Sequence, residues 1–375
     1  MGLTSNNVLV GVVLLAGSLF AGTVWLWPRL ARPGWRTVSG RIGLLLATQL
    51  ALFASAGVAV NQAFGFYAGW ADLLGQETAQ GVVVDHTAHG APGGPLEVLG
   101  TALPPGSGGS RPQTAGQIQT VGITGRTSRT VMPAYVYLPP EYFQARYRAR
   151  TFPAAVVLTG YPGTARALVD KLRYPRTAFE QAKDGRMQPM ILVMLRPTVA
   201  PPRDTECVDV PGGPQAESFF AKDLPEAVTA HYRVGRTPGS WGVIGDSTGG
   251  YCALKLAMHH PGVYAAAVGL SPYYKAATDP TTGDLFRGDR RLRERADLRW
   301  CLTHLPAPDT ALLVTTSRLG ETDYRATLEF VNRVRAKGLT RIASIVLGSG
   351  GHNFNTWRRE IPAALQWMSG KLSDR

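Results

Sequence analysis

The stretch Ser240-Trp241-Gly242-Val243-Ile244-Gly245-Asp246-Ser247-Thr248-Gly249-Gly250-Tyr251-Cys252-Ala253-Leu254-Lys255-Leu256-Ala257-Met258 decides the fold. It begins as a short apolar run, ends in residues that favour helix, and has glycines crowded at the junction. The pattern predicts strand, tight turn and helix, with Ser247 at the apex. It matches G-x-S-x-G, in which a strained turn lifts a serine hydroxyl to the top of a sheet. Glycines leave room where a side chain would collide with the neighbouring strand or helix. The six residues Gly245 to Gly250 also suit a Gly-rich surface turn with an ordinary serine, so the flanking chain must choose.

On both sides of the turn the pattern alternates between strand and helix. Val131–Leu138 alternates and ends at Pro139-Pro140; Ala154–Leu158, Met190–Leu195, Ala265–Leu270, Ala311–Thr315 and Arg341–Leu347 are short apolar runs. Helical stretches fall at about Ala216–His231, Tyr324–Lys337 and Thr356–Leu372. This alternation argues for an α/β fold with a mostly parallel sheet covered by helices on both faces.

A serine hydroxyl is a weak nucleophile at neutral pH. It needs a base within hydrogen-bond reach, and the base needs a third group to orient it. In strand-turn-helix sites of this kind the partners follow in the order serine, acid, histidine. His352 follows the last strand in the turn Gly348-Ser349-Gly350-Gly351-His352, where such a base belongs. Glu321, within a few residues of the preceding strand's end, is the first choice of acid. Asp323 is the alternative, and it also suits the N-cap of the helix beginning near Tyr324. An oxyanion needs two backbone N–H donors. Thr248, directly after the nucleophile, is one, and the loop Leu158-Thr159-Gly160-Tyr161-Pro162-Gly163 supplies the other. Pro162 has no N–H, which points to Tyr161. No G-K-[ST] follows, so the loop is not a phosphate loop.

Several other residues carry more than one reading. Asp246, Asp204, Glu206 and Asp209 read as solvated acids or turn caps, or else as lining of the site entrance. His259 and His260 end the helix after the turn, where a cation complements the dipole. Trp357 and Trp367 read as packing residues. Of the three cysteines, Cys252 reads as a buried small apolar residue. Cys207 and Cys301 lie in loop-like stretches; they form a disulfide if the domain faces an oxidising compartment and remain free thiols otherwise. No C-x-x-C is present, so zinc and redox motifs are absent, and no metal or organic cofactor is implied.

The chain of 375 residues carries a formal net charge of +13 and has 45% hydrophobic residues. The excess of arginine is scattered and suits attraction to an anionic surface such as lipid headgroups or wall polymers. Nothing in it resembles a nucleic-acid-binding motif. Val8–Trp27 is apolar without a charge and long enough to span a bilayer as a helix. Residues 42–67 form a second apolar stretch, with Gln49, Asn61 and Gln62 inside it. Arg29, Arg32, Arg36 and Arg41 lie between the two, which by the positive-inside tendency makes that loop cytoplasmic. Both ends of the hairpin then lie outside. A cleaved signal peptide is the competing reading, weakened by the absence of Lys and Arg from Met1 to Asn7. Residues 78–117 are rich in Gly and Pro and read as a flexible linker, on the order of 35 Å r.m.s. as a coil. His86 and His89, within it, read as solvated.

From about Ile118 to Leu372 the chain resembles the esterase D family of α/β-hydrolases, which includes the secreted mycolyltransferases of antigen 85 type. The matching segments are the Leu158–Gly163 loop, Gly245-Asp246-Ser247-Thr248-Gly249, the Glu321 segment, and Gly351-His352-Asn353-Phe354-Asn355-Thr356-Trp357. The resemblance implies a serine enzyme that hydrolyses esters or passes the acyl group to an alcohol. It implies Ser247, Glu321 and His352 as the triad and Tyr161 and Thr248 as the oxyanion donors. The chain departs from the secreted mycolyltransferases in its two apolar N-terminal stretches and in Thr248, where methionine is frequent. The expectation is therefore a membrane-anchored, extracytoplasmic serine esterase or acyltransferase acting on acyl esters of a lipid or wall component. A non-catalytic wall- or ligand-binding member of the fold and a serine peptidase are the alternatives.

Overall fold

The computed structural model describes residues 6–64, 94–106, 108–338 and 340–374. It divides into two compact units, residues 1–80 and 81–375. In the first, α1 (Asn6–Leu30) and α2 (Trp35–Phe64) are both long and apolar enough to cross a membrane, by length and composition alone. Thr23 and Thr48 meet between them, hydroxyl to hydroxyl at 3.0 Å, and each also donates to its own helix at Leu19 O and Leu44 O. The outer faces stay bare: Leu14, Phe20, Leu50 and Phe53 are all more than half exposed. Both helices begin earlier than the sequence pattern suggests. Residues 65–67 of the second apolar stretch, and 78–93 with His86 and His89, lie outside the described residues.

The second unit is built on a nine-stranded sheet in the order β1-β2-β3-β5-β4-β6-β7-β8-β9. The strands are β1 (Leu96–Ala102), β2 (Gln117–Thr124), β3 (Val131–Leu138), β4 (Ala154–Leu158), β5 (Ile191–Leu195), β6 (Trp241–Asp246), β7 (Ala266–Leu270), β8 (Ala311–Leu319) and β9 (Arg341–Ser349). The pairs among β1, β2, β3 and β5 are antiparallel, and the rest are parallel. Every residue of β4 to β7 is buried. Strands covered on both faces read as unbroken apolar runs rather than alternation, which is how the sequence shows them. Val156 and Val243 join one apolar layer, while Val157 and Ile244 join the other. The main covering helices are α3 (Tyr174–Lys183), α4 (Thr248–His259), α5 (Tyr324–Arg335) and α6 (Phe354–Ser369).

Three expectations are corrected here. Part of the stretch read as linker is ordered: β1 pairs with β2 along its length, and Pro112–Ala115 forms a helical turn. Cys207 bridges Cys252, not Cys301, with Cα atoms 5.7 Å apart. Cys252 is therefore half of a cross-link rather than a lone apolar residue. Cys301 is a buried free thiol on the short helix Leu298–His304, with burial pushing its pKa up to about 11. Finally, His259 and His260 serve a side chain rather than only the helix dipole. Both ring nitrogens approach Glu217 Oε1 at 2.9 Å, while Lys255 Nζ lies 2.7 Å from Oε2. Burial works against the Glu217 charge, but Lys255 and the two histidines outweigh it and hold its pKa well below the usual carboxylate range.

Candidate active site

Ser247 stands where β6 turns into α4, with φ 52° and ψ −119°. This left-handed backbone is strained for serine and is held because the surroundings allow no alternative. A Cβ on Gly245 would fall 2.4 Å from Gly249 C and O, and one on Gly249 would fall 2.3 Å from Leu158 O. Both glycines are thus demanded by close backbone approach. The Ser247 N–H donates to Leu270 O at 3.0 Å, tying the turn to β7. Its hydroxyl lies 2.8 Å from His352 Nε2, across 105 residues of sequence.

His352 follows β9 and precedes α6. Asn353 caps that helix by accepting the N–H groups of Asn355 and Thr356. The imidazole packs edge-on against Trp357, with centroids 5.1 Å apart. The residue reaches solvent. Even so, crowding by protein lowers its pKa below the ordinary 6.5, and the charges of Glu321 and Asp323 offset this in part.

Glu321 is fixed by three donors. Oε1 accepts the Ser271 hydroxyl; Oε2 accepts the Thr316 hydroxyl at 3.0 Å and the Ser317 N–H at 2.9 Å. No hydrogen bond joins it to His352, unlike the direct orientation expected from the sequence; the two are connected only through neighbours. Ser271 is the link, since its hydroxyl also accepts the Trp357 indole N–H at 2.9 Å. The Ser271 N–H donates to Thr315, whose hydroxyl donates to Glu360. Burial pushes Glu360 up to about 8. Asp323 is exposed, occupies the N-cap position of α5, and makes no side-chain capping bond. The sequence reading passed over Ser271, Thr315 and Glu360. Ser271 had a signal: it directly follows β7, at the carboxyl end of a central strand.

Of the two predicted oxyanion donors, Thr248 directly follows Ser247, and Tyr161 directly follows Gly160, which lies against it. Thr248 opens α4, so its N–H has no acceptor within the helix. On the other side, a Cβ on Gly160 would lie 3.1 Å from Ser247 Cβ. The Gly160 N–H donates to Asp246 Oδ2 at 2.9 Å, which seats the loop bearing Tyr161 against the elbow. The Tyr161 hydroxyl donates to Pro202 O. Asp246 is only 1% exposed and its Oδ1 has no hydrogen-bond partner. Burial raises its pKa to about 7.

Solvated acids do not describe this region. Asp204 and Glu206 are buried too. Burial lifts Asp204 to about 6, against the opposing Glu206 N–H and Thr248 hydroxyl. Burial and the Asp204 charge lift Glu206 to about 8, although the Tyr273 hydroxyl reaches both its oxygens at 2.7 and 2.8 Å. Asp209 does cap a turn, accepting the Ser218 N–H and hydroxyl. Trp357 belongs to the site, and Trp367 packs, half-buried, against the same apolar layer as Val157 and Ile244. A cleft of about 730 Å³ opens beside Tyr161. Another, of about 490 Å³, includes Trp241 at the amino end of β6, the end away from Ser247. Among the described residues, no group of three or more His, Cys, Asp or Glu is arranged to hold a metal ion.

A nine-stranded, mostly parallel sheet with a serine elbow and a histidine in contact defines an α/β-hydrolase. The Esterase family model, described as "Putative esterase", matches residues 126–368. The chain belongs to this esterase family. It is 23% identical over 252 residues to an uncharacterized protein of Corynebacterium glutamicum, covering 63% of this chain and 56% of that protein. The chain thus spans little more than half the length of the curated relative it matches. Among solved structures it is similar to an S-formylglutathione hydrolase from Agrobacterium tumefaciens, with TM-score 0.56 and 16% identity over 69% of this chain and 96% of that one. It is also similar to a ferulic acid esterase, with TM-score 0.59 and 18% identity over 68% and 98%. At these identities the likeness is one of fold.

Proposed function

We propose that the chain is a serine carboxylic-ester hydrolase or acyltransferase working through an acyl-enzyme on Ser247. The observation that carries this reading is the 2.8 Å contact between the Ser247 hydroxyl and His352 Nε2. Ser247 Oγ attacks the ester carbonyl as His352 takes its proton. The N–H groups of Thr248 and Tyr161 hold the oxyanion. His352 then protonates the departing alcohol. Water, or an acceptor hydroxyl deprotonated by His352, releases the acyl group. Glu321 supports the imidazolium by its charge and through Ser271 and Trp357. A fluorophosphonate probe should label Ser247 with one-to-one stoichiometry alongside turnover of a short-chain ester. Labelling at another residue, or none, would sink the reading.

The base must be neutral to accept a proton. Since crowding by protein lowers its pKa despite its exposure, the acid limb of kcat/KM should have its midpoint below pH 6.5. Glu321→Gln removes a charge that raises the pKa, so the midpoint should move lower still. A limb at or above 6.5 would contradict the placement of His352.

Asp246 positions the oxyanion loop in this reading. Asp246→Ala should lower kcat about 10²-fold, the scale of losing one oxyanion donor, with little change in KM. Asp246→Asn, which keeps an oxygen acceptor for Gly160, should recover part of it. Equal activity in wild type and Asp246→Ala would remove Asp246 from the mechanism.

We further propose that α1 and α2 anchor the chain in a membrane with the hydrolase unit on the extracytoplasmic side. The bare apolar helices and the arginines at positions 29, 32, 36 and 41 support this, as does the Cys207–Cys252 bridge, since disulfides persist in oxidising compartments. Alkylating the freshly extracted chain before reduction tests it. Both cysteines should resist modification until reductant is added, and immediate alkylation of both would place the unit in a reducing compartment.

A further inference from the structure

The cleft beside Tyr161 begins one residue from Gly160, which lies against the nucleophile. Tyr161, Pro202, Arg203, Thr281, Asp284 and Arg287 contribute to its walls. Arg203 is fixed by backbone: Nε donates to Thr282 O and Nη2 to Asp284 O, both at 2.8 Å. Neutral carbonyls orient the guanidinium without cancelling its charge. Arg287 is exposed and adopts φ 46°. Asp284 is the acid in the wall, and its Oδ1 already accepts the N–H groups of Phe286 and Arg287.

Neither Arg203 nor Arg287 is ion-paired with a carboxylate among the described residues, unlike Arg150, Arg166, Arg176, Arg290 and Arg333. The surrounding chain adds to the potential. Of the 39 basic and 26 acidic residues, four and three precede residue 94, leaving 35 against 23, or +12, on the remainder. Two guanidiniums share the wall with the single carboxylate of Asp284, whose charge acts on Arg287, so the concave site is net positive and draws in the opposite charge. The guanidinium fork suits the paired oxygens of phosphate or carboxylate.

We propose that this cleft is a subsite for an anionic group of the ester substrate, with Arg203 and Arg287 binding phosphate or carboxylate oxygens on the part that extends past Tyr161. The proposal rests on Ser247 being the nucleophile and adds the substrate's charge class. The bound anion lies away from the reacting bond, so its effect falls on KM.

Three esters of one skeleton test it on the full chain in neutral detergent: 1-butyrylglycerol, its 3-phosphate, and 3-O-butyrylglycerate. The anionic esters should show kcat/KM about tenfold above the neutral one, the scale of a charged hydrogen bond. The gain should lie in KM and shrink between 0.05 and 0.5 M salt. Arg287→Gln and Arg203→Gln should each erode it while leaving kcat for 1-butyrylglycerol unchanged. Arg287, being exposed, guards against a folding effect at Arg203. A larger gain for the phosphate names phosphate as the group, and a larger gain for the glycerate names carboxylate. Equal kcat/KM for all three esters, or a gain that survives in the double variant, overturns the subsite. Isothermal titration of Ser247→Ala with glycerol 3-phosphate against glycerol separates the two readings. Selective binding without wild-type turnover supports the subsite and overturns the nucleophile; no selective binding overturns the subsite.

Discussion

Ser247→Ala and His352→Ala are each expected to reduce ester turnover by about 10⁵-fold or more, and the double variant by no more than either single one, because nucleophile and base act as a unit. The geometry behind this is specific. The Ser247 hydroxyl sits on a left-handed residue at the carboxyl end of β6, pinned to Leu270 O, with His352 Nε2 as its partner. Removing either end of that contact removes proton transfer in both acylation and deacylation. Glu321→Gln should cost less, about 10³-fold, since the amide keeps one acceptor for the Ser271, Thr316 and Ser317 donors but loses the charge that favours the imidazolium. Asp323→Asn should stay near wild type: the residue is exposed and bonds no part of the site through its carboxylate. Pre-steady-state kinetics with a chromogenic ester would measure all five variants. A larger loss in Asp323→Asn than in Glu321→Gln would exchange their roles.

What the sequence discloses, and what it hides, divides along a physical line. The elbow is legible because Gly245 and Gly249 are forced by backbone approach within a few residues and one neighbouring strand. Strands β4 to β7 are legible because burial on both faces leaves few polar positions. The edge strand β1 is not. Leu96-Glu97-Val98-Leu99-Gly100-Thr101-Ala102 is half-exposed, has a register shift between Val98 and Gly100, and is flanked by Gly- and Pro-rich chain. The acids divide in the same way. Asp209 behaves as local rules predict, accepting from Ser218. Asp204, Glu206 and Asp246 are buried by elements remote in sequence, and Asp246 finds its donor 86 residues away in Gly160. Burial is a tertiary property, so no local pattern announces it. Ser271 discloses its place, directly after β7, but not its role, which lies in touching Glu321 and Trp357 at once.

Removing the Cys207–Cys252 bridge should lower unfolding free energy by about 4 kcal/mol, the chain-entropy value for a loop closed over a 45-residue separation. For a unit of this size that is a melting point lower by roughly 10 °C. Spacing along the chain gave no means of choosing Cys252 over Cys301, because pairing depends on which Cα atoms converge. The bridge joins α4, one turn after the nucleophile, to the loop that holds Glu206 and Cys207 at φ 48° and 49°. The same loop supplies the Cys207 carbonyl to buried Lys255, brings Asp204 to the Thr248 hydroxyl, and offers Pro202 O to the Tyr161 hydroxyl. Both proposed oxyanion donors, Tyr161 and Thr248, therefore lean on a segment that the disulfide fastens. Cys207→Ser/Cys252→Ser, or wild type in reductant, should melt early and lose kcat on warming before KM changes. Cys301→Ser should leave the response to reductant intact, since that thiol is buried beside His259 and outside the bridge. Calorimetry with and without reductant, paired with turnover at each temperature, reads both effects. An unchanged melting point in reductant would show that the loop is held by Lys255 and Asp204 alone.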